Sequence, residues 1–367
     1  MLSLIFAAAL AGVSAIPADC DLERPSGAGG CTRAAVDALP MNALQAIGTH
    51  NSYKLAIAPN EMAIVRAADP RQADALDYSH PPLDAQLDAG ARQLEIDIAN
   101  DPQGGLYATP LGYRMAGAKA EPYDLTPLKA AGLKVLHAAD VDYRSSCPTF
   151  AACLKTVRAW SQAHPDHVPI LILLNLKEGG LKLPGAVQSP PFDAAAMDAI
   201  DAEIRDVFPD AALITPDKVQ GRHPTLREAV AAGAWPRLKD ARGKVMIACD
   251  CPAGQVALYR GARKSLEGRV AFVNVEETSP AAAYITLNEP LEQAARIAAA
   301  VKAGLIVRTR ADADTWEARS NDRRRQDAAF ASGAQYVSTD YMRADPRLGP
   351  YTARLPGGGV ARLTPAR

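Results

Sequence analysis

The sequence has no net charge to speak of, no membrane-length apolar run after its first residues, no internal repeat and no linker-like stretch. Lys and Arg number 40 against 41 for Asp and Glu, so no basic stripe pushes the chain towards nucleic acid. Past the N-terminal segment no stretch approaches the roughly twenty apolar residues of a membrane helix. Without a boundary linker the chain reads as one large domain over residues 42–354, and a 367-residue chain is long enough to bury a large core.

What is present begins with an address. An apolar run from Leu4 to Val13 leads to Val13-Ser14-Ala15, small residues where a signal peptidase cuts, although no Lys or Arg precedes it. Residues 1–15 are therefore expected to be a signal peptide and the protein secreted or periplasmic; the other reading of the same residues is a buried N-terminal strand or helix. Asp19 directly before Cys20 argues against a lipoprotein anchor. Residues 16–41 form a Cys-bounded leader and residues 355–367, with Gly357-Gly358-Gly359, a flexible tail. Cys20 and Cys31 flank a Pro/Gly-rich stretch, Cys147 and Cys153 close a short loop, and both read as local disulfides of an oxidising compartment. Cys249 and Cys251 are expected to be inert or bridged rather than zinc ligands, since nothing nearby completes a four-ligand set.

Short apolar runs alternate with alanine-rich helical stretches: residues 43–48, 93–98, 134–137, 168–176, 244–248, 270–275, 305–309 and 335–339. Strands apolar on both faces and separated by helices imply a parallel sheet covered all round, and eight of them favour an α/β fold of the (β/α)8 barrel type. A ninth run, 211–215, is read as a connection. Polar residues cluster where the runs end: His50 and Asn51, Glu95 and Asp97, His137, then Lys177 and Glu178. In a parallel barrel those ends share one face.

Glu95 and Asp97, two apart on a strand, project to one side. Two inward carboxylates need a cation, and with the oxygens of Asn51 and Glu178 the donor set suits hard Ca2+ or Mg2+. The alternative is that Glu95 and Asp97 simply pair with Lys177 or Arg92. His50 and His137 can accept and donate protons near neutrality, the equipment for displacement at phosphorus. The remaining histidines, His80, His164, His167 and His223, earn no role, His164 and His167 being expected at the surface. Arg323-Arg324-Arg325 reads either as a solvated helix face or as a contact to an anionic membrane.

Gly48-Thr49-His50-Asn51-Ser52-Tyr53, Leu94-Glu95-Ile96-Asp97-Ile98, Leu136-His137, Asn175-Leu176-Lys177-Glu178, Arg308-Thr309-Arg310-Ala311-Asp312 and Ser338-Thr339-Asp340-Tyr341 together resemble the phosphatidylinositol-specific phospholipases C, in their calcium-dependent bacterial branch. The resemblance implies a phosphodiesterase acting on inositol phospholipid at a membrane surface through a cyclic inositol phosphate. By the same resemblance His50 and His137 are the acid/base pair, and Asn51, Glu95, Asp97 and Glu178 hold Ca2+. Lys177, Asp250, Arg308, Arg310 and Tyr341, at or near strand ends, are candidates either for reading the substrate or for barrel-rim ion pairs. About forty residues separate Asp97 from His137, read as an inserted loop over 102–124. A glycerophosphodiester phosphodiesterase is the runner-up, but that family follows its first histidine with Arg-Gly where this chain has Asn51-Ser52. A third reading is a secreted barrel that binds Ca2+ without catalysis.

Overall fold

A computed structural model describes residues 16–365; the expected signal peptide lies outside the described residues. The strands are β1 (Leu44–Thr49), β2 (Gln93–Ala99), β3 (Lys134–Val135), β4 (Ile170–Lys177), β5 (Leu213–Ile214), β6 (Val245–Cys249), β7 (Phe272–Val273), β8 (Tyr284–Thr286), β9 (Ile306–Arg310), β10 (Tyr336–Thr339) and β11 (Ala361–Leu363). Parallel pairing runs β7-β6-β4-β2-β1-β10-β9-β8. The last seam, between β7 and β8, is closed by a parallel bridge from Asn274 to Tyr284 and by Thr286 N donating to Asn274 Oδ1 at 3.2 Å. The result is the expected (β/α)8 barrel, with every residue of β1, β2, β6 and β10 buried.

These segments become barrel strands for a simple reason. Ile170-Leu171-Ile172-Leu173-Leu174 offers no polar face to water, so it is stable only with cover on both sides. That cover comes from helices such as Phe150–Ala163 and Ala194–Val207, begun by the side-chain caps Thr149 and Asp193.

Membership of the barrel differs from the sequence reading in three places. The run at 134–137 yields only β3, which pairs antiparallel across the end of β2 (Ile98 with Val135) and stands outside the ring. Its place is taken by β8, whose three residues are too few for a period to show. The run at 211–215, expected as a connection, contributes β5, which pairs parallel with the first half of β6 (Leu213 with Val245). The tail from Leu355, expected to hang free, carries β11, antiparallel to the first half of β1 (Leu44 with Leu363).

The leader is tied in as well. Leu22 N donates to Ala361 O at 2.7 Å, and buried Glu23 forms a two-pronged ion pair with buried Arg92, just before β2. Val168 N donates to the same carboxylate at 3.1 Å, and the Arg92 guanidinium lies 4.7 Å from the Trp160 ring. His167, expected at the surface, is buried beside this cluster with its ring hydrogen-bonded to Ser161 Oγ at 2.8 Å. Arg92 is thereby removed as a partner for Glu95 or Asp97. Three disulfides join Cys20 to Cys31, Cys147 to Cys153 and Cys249 to Cys251.

Replacing Glu23 by Ala leaves Arg92 charged and buried without its partner. Urea unfolding of that variant should show a loss of about 3–5 kcal/mol; a loss within error would mean that the leader does not brace the barrel.

Candidate functional site

The site starts at the end of β1. Gly48 is opposite Gln93, and a Cβ there would stand 2.6 Å from the Gln93 carbonyl oxygen, so only glycine lets β1 approach β2 this closely. Past Thr49 the chain turns through Asn51, whose φ of 47° lies in the left-handed region that Asn tolerates. Ser52 then locks the turn onto β2, its N donating to Glu95 O at 2.9 Å and its Oγ accepting from Glu95 N at 2.8 Å. A cavity of about 320 Å3 opens here at the C-terminal ends of the strands. His50, Asn51, Glu95, Asp97, His137, Lys177, Asp250, Arg308 and Arg310 all line it, so nine of the eleven residues singled out from sequence converge.

Each histidine is backed by a buried aspartate. His50 Nδ1 lies 2.9 Å from Asp340 Oδ1, the shortest of its contacts, which assigns the ring proton to Nδ1 and leaves Nε2 to the cavity. Tyr78 OH and Arg310 Nη2 also approach Nδ1, at 3.2 and 3.3 Å, and Tyr78 OH accepts from Asn51 Nδ2 at 2.8 Å. Burial, reinforced by the charges of Arg310 and Arg308, holds His50 well below the usual histidine range, so it is neutral at pH 7. Burial also pushes Asp312 up to about 7, helped by the charge of Asp340. Burial raises Asp340 as well, opposed first by the charge of Arg310, 3.4 Å away.

His137 Nδ1 lies 2.9 Å from Asp142 Oδ2. Burial alone would raise the Asp142 carboxyl, but Lys54 and then His137 hold it below the carboxylate range. Lys54 is itself fully buried, with Nζ 3.1 Å from Asp142 Oδ1 and donating to Tyr78 O at 3.0 Å. One lysine, three residues past Asn51, thus braces the supports of both histidines.

The carboxylates are charge-balanced by neighbouring strands. Arg308 on β9 is ion-paired with Glu95 and donates to Asn288 Oδ1 at 2.5 Å. Lys177 on β4 lies 2.7 Å from Asp97, so the pairing weighed from sequence does form for Asp97. Between the two acids, Asn175 Nδ2 donates to Glu95 Oε1 at 2.8 Å and to Asp97 Oδ1 at 3.1 Å. Burial pushes Glu95 up to about 7 despite Arg308, whereas Asp97 is kept below the usual range because Lys177 and His137 outweigh its burial. The site still has room for positive charge.

Two expectations are corrected. Glu178 is exposed just past the end of β4 and accepts from Phe192 N at 2.8 Å; it is absent from the cavity lining. Alternation from Asn175 through Lys177 sends the next side chain the other way. Tyr341 is buried against Tyr78 and Tyr351 beneath the rim, not in the cavity. The third carboxylate of the cavity is instead Asp250, held by Asn274 Nδ2 at 2.8 Å. Sequence reasoning missed Asn175, Asn288, Asp142, Asp340 and Lys54. His80, given no role, is buried with Nε2 2.8 Å from His50 O, fixing the turn.

Asn51, Glu95, Asp97, Asn175 and Asp250 offer oxygen and no sulfur. Among the described residues no three His, Cys, Asp or Glu side chains form a metal-holding group. The amide nitrogen of Asn175 stands between Glu95 and Asp97 as a partial positive charge. A hard divalent ion would draw on the oxygens of Asn51, Glu95, Asp97 and Asn175. The donor set fits calcium.

Replacing Glu178 by Gln should leave turnover and calcium affinity at wild-type levels, measured by product release and calorimetry. Asn175→Leu, which removes the bridge between the two acids, should cost about 10–100-fold. Equal losses in both variants would return Glu178 to the site.

No curated protein matches the chain. Solved structures do. The chain is similar to a calcium-dependent phosphoinositol-specific phospholipase C from a Pseudomonas species, with 17% identity, a TM-score of 0.54, and 89% of this chain and 96% of that one covered. It is also similar to a Ca2+-dependent phosphatidylinositol-specific phospholipase C from Streptomyces antibioticus, with 19% identity, a TM-score of 0.52, and 83% and 95% covered. At such identities these likenesses speak for the barrel. The family model for Ca2+-dependent phosphoinositide phospholipase C matches residues 39–365, from the end of the leader through β11, and the chain belongs to that family.

Proposed function

We propose that this chain is a calcium-dependent phospholipase C that cleaves phosphatidylinositol-type phosphodiesters by histidine acid/base catalysis, giving a cyclic inositol phosphate first. The observation that carries the reading is the pair of histidines, His50 and His137, each backed by a buried aspartate and both lining one cavity with Glu95 and Asp97.

His50, neutral and with Nε2 towards the cavity, takes the proton of the attacking inositol 2-hydroxyl. That hydroxyl oxygen bonds to phosphorus as the bond from phosphorus to the diacylglycerol oxygen breaks. His137, backed by Asp142, is the donor of a proton to that leaving oxygen. Arg310 and Lys177 lie in the lining with cationic heads suited to the phosphate, and Arg is shaped for two-pronged contact. Asp250, Arg308 and Asn288 also line the cavity and would read ring hydroxyls. Asn51, Glu95, Asp97 and Asn175 would hold Ca2+, which supplies positive charge for the non-bridging phosphate oxygens. The three disulfides and the expected leader favour an exported protein, secreted or periplasmic, that meets its lipid outside the cytoplasm.

His50→Ala should lower turnover of phosphatidylinositol by about 10²–10⁴-fold with the circular dichroism spectrum unchanged. Phosphorus NMR should show a cyclic inositol phosphate, where a glycerophosphodiester phosphodiesterase gives glycerol 3-phosphate. A chelator should abolish cleavage and added calcium restore it; indifference to chelation would sink the metal assignment.

Because the folded-state value of His50 is lowered, the base form survives acidification. The acidic limb of kcat/KM should therefore fall below about pH 6.5, the ordinary histidine value. A limb above that value at saturating calcium, where Glu95 is held ionised, would exclude His50 as the base.

A further inference from the structure

Asp312 follows β9 by two residues, is fully buried, and does not line the cavity that His50 faces. A carboxyl shut away from water has to be explained by what it holds. Both of its oxygens are used. Oδ1 accepts from Asp340 N at 2.8 Å, and Oδ2 accepts from Thr339 Oγ1. Tyr351 OH lies 3.2 Å from the same Oδ2 and 3.1 Å from Ala311 O. Thr339 Oγ1 accepts in turn from Tyr341 N at 2.8 Å. One carboxyl therefore grips residues 339–341, which carry the chain out of β10 with Asp340 at their centre.

The main chain of the same residue holds the other charged neighbour of His50. Asp312 O accepts from Arg310 Nε at 3.0 Å, and Arg310 Nη2 then stands 3.3 Å from His50 Nδ1 and 3.4 Å from Asp340 Oδ2. Strand pairing sets this up. Arg310 is opposite Ser338, and Ala311 N donates to Ser338 O at 2.8 Å, so β9 and β10 leave the sheet side by side. Asp340 and Arg310 both meet His50 at Nδ1, and Asp312 holds both. The aspartate behind His137 is fixed differently, by the Lys54 ammonium 3.1 Å from Asp142 Oδ1.

We propose that Asp312 is a positioning residue for His50. By accepting the main-chain N–H of Asp340 it sets how the Asp340 carboxylate meets His50 Nδ1, and so where Nε2 points in the cavity. It acts as a hydrogen-bond acceptor, so an amide can take its place. The link to turnover rests on the phosphodiesterase reading, while the effect on the ring does not.

Asp312→Ala removes both oxygens but keeps the carbonyl that holds Arg310. With short-chain phosphatidylinositol at saturating calcium, it should lower kcat by about 10²-fold, the scale of loss for a misdirected catalytic group, and leave KM unchanged. Asp312→Asn, which still offers an oxygen to Asp340 N, should recover most of that loss. Proton NMR reads the same contact without substrate. The downfield resonance of His50 Nδ1–H, identified by its disappearance in His50→Ala, should shift in Asp312→Ala and return in Asp312→Asn, with the His137 resonance in place. If Asp312→Ala does not fold, Thr339→Val, which frees Oδ2, should give the same shift with a smaller loss of kcat. Full kcat per folded molecule would make Asp312 a brace for the fold alone and overturns the proposal, as does Asp312→Asn being as slow as Asp312→Ala. The NMR pattern in a protein that turns over no phosphatidylinositol would sustain the positioning and refute the proposed activity.

Discussion

Two carboxylates that cannot leave the barrel mouth set the terms for everything around them. Glu95 and Asp97 project to one side of β2 and are almost wholly removed from water. An unpaired buried carboxylate is costly enough that the fold must supply compensating charge or take up a proton. β2 cannot provide that compensation, so it comes from the strands around the ring: Arg308 on β9, with Asn175 and Lys177 on β4. Closing the barrel is what places β9 near β2, which are separated by more than two hundred residues of chain. Site and architecture are thus one electrostatic problem. Burial still pushes Glu95 up to about 7, despite Arg308.

The histidines pose the same problem at smaller scale. Asp340 and Asp142 give each ring a fixed orientation, and each aspartate needs its own partner: Arg310 for Asp340, Lys54 for Asp142. Lys54 also donates to the carbonyl of Tyr78, whose hydroxyl touches both Asn51 and His50. A buried lysine with two such contacts ties the support of His137 to that of His50 through one rigid body. The short segment from Gly48 to Lys54 therefore holds the close strand approach, the proposed proton carrier, the proposed amide ligand and the brace for the opposite histidine.

Much of this was legible in the sequence, for identifiable reasons. Runs such as Ile170 to Leu174 announce covered strands because no other arrangement buries both faces, and the polar residues at their ends follow from the parallel geometry. β8 was invisible because three residues show no period. The apolar run ending at His137 looked like a barrel strand because a short apolar run fits equally an antiparallel flap. Glu178 was misplaced by adjacency: it follows Lys177, but the alternation that puts Asn175 and Lys177 inward puts it outward, a signal present in the sequence and outvoted by charge. Tyr341 fell to the same error one residue past Asp340. Asp142, Asp340 and Lys54 carry no local mark, since their importance arises from contacts spanning up to 290 residues of separation.

The paired segments at the base of the barrel have one more consequence. Leu22 and Ala361 are hydrogen-bonded to each other, and β11 runs along the half of β1 remote from His50. Both extremities of the folded body therefore leave from the side opposite the mouth. Tethered through either one, to a bead, a partner protein or a cell envelope, the molecule would present its opening outward.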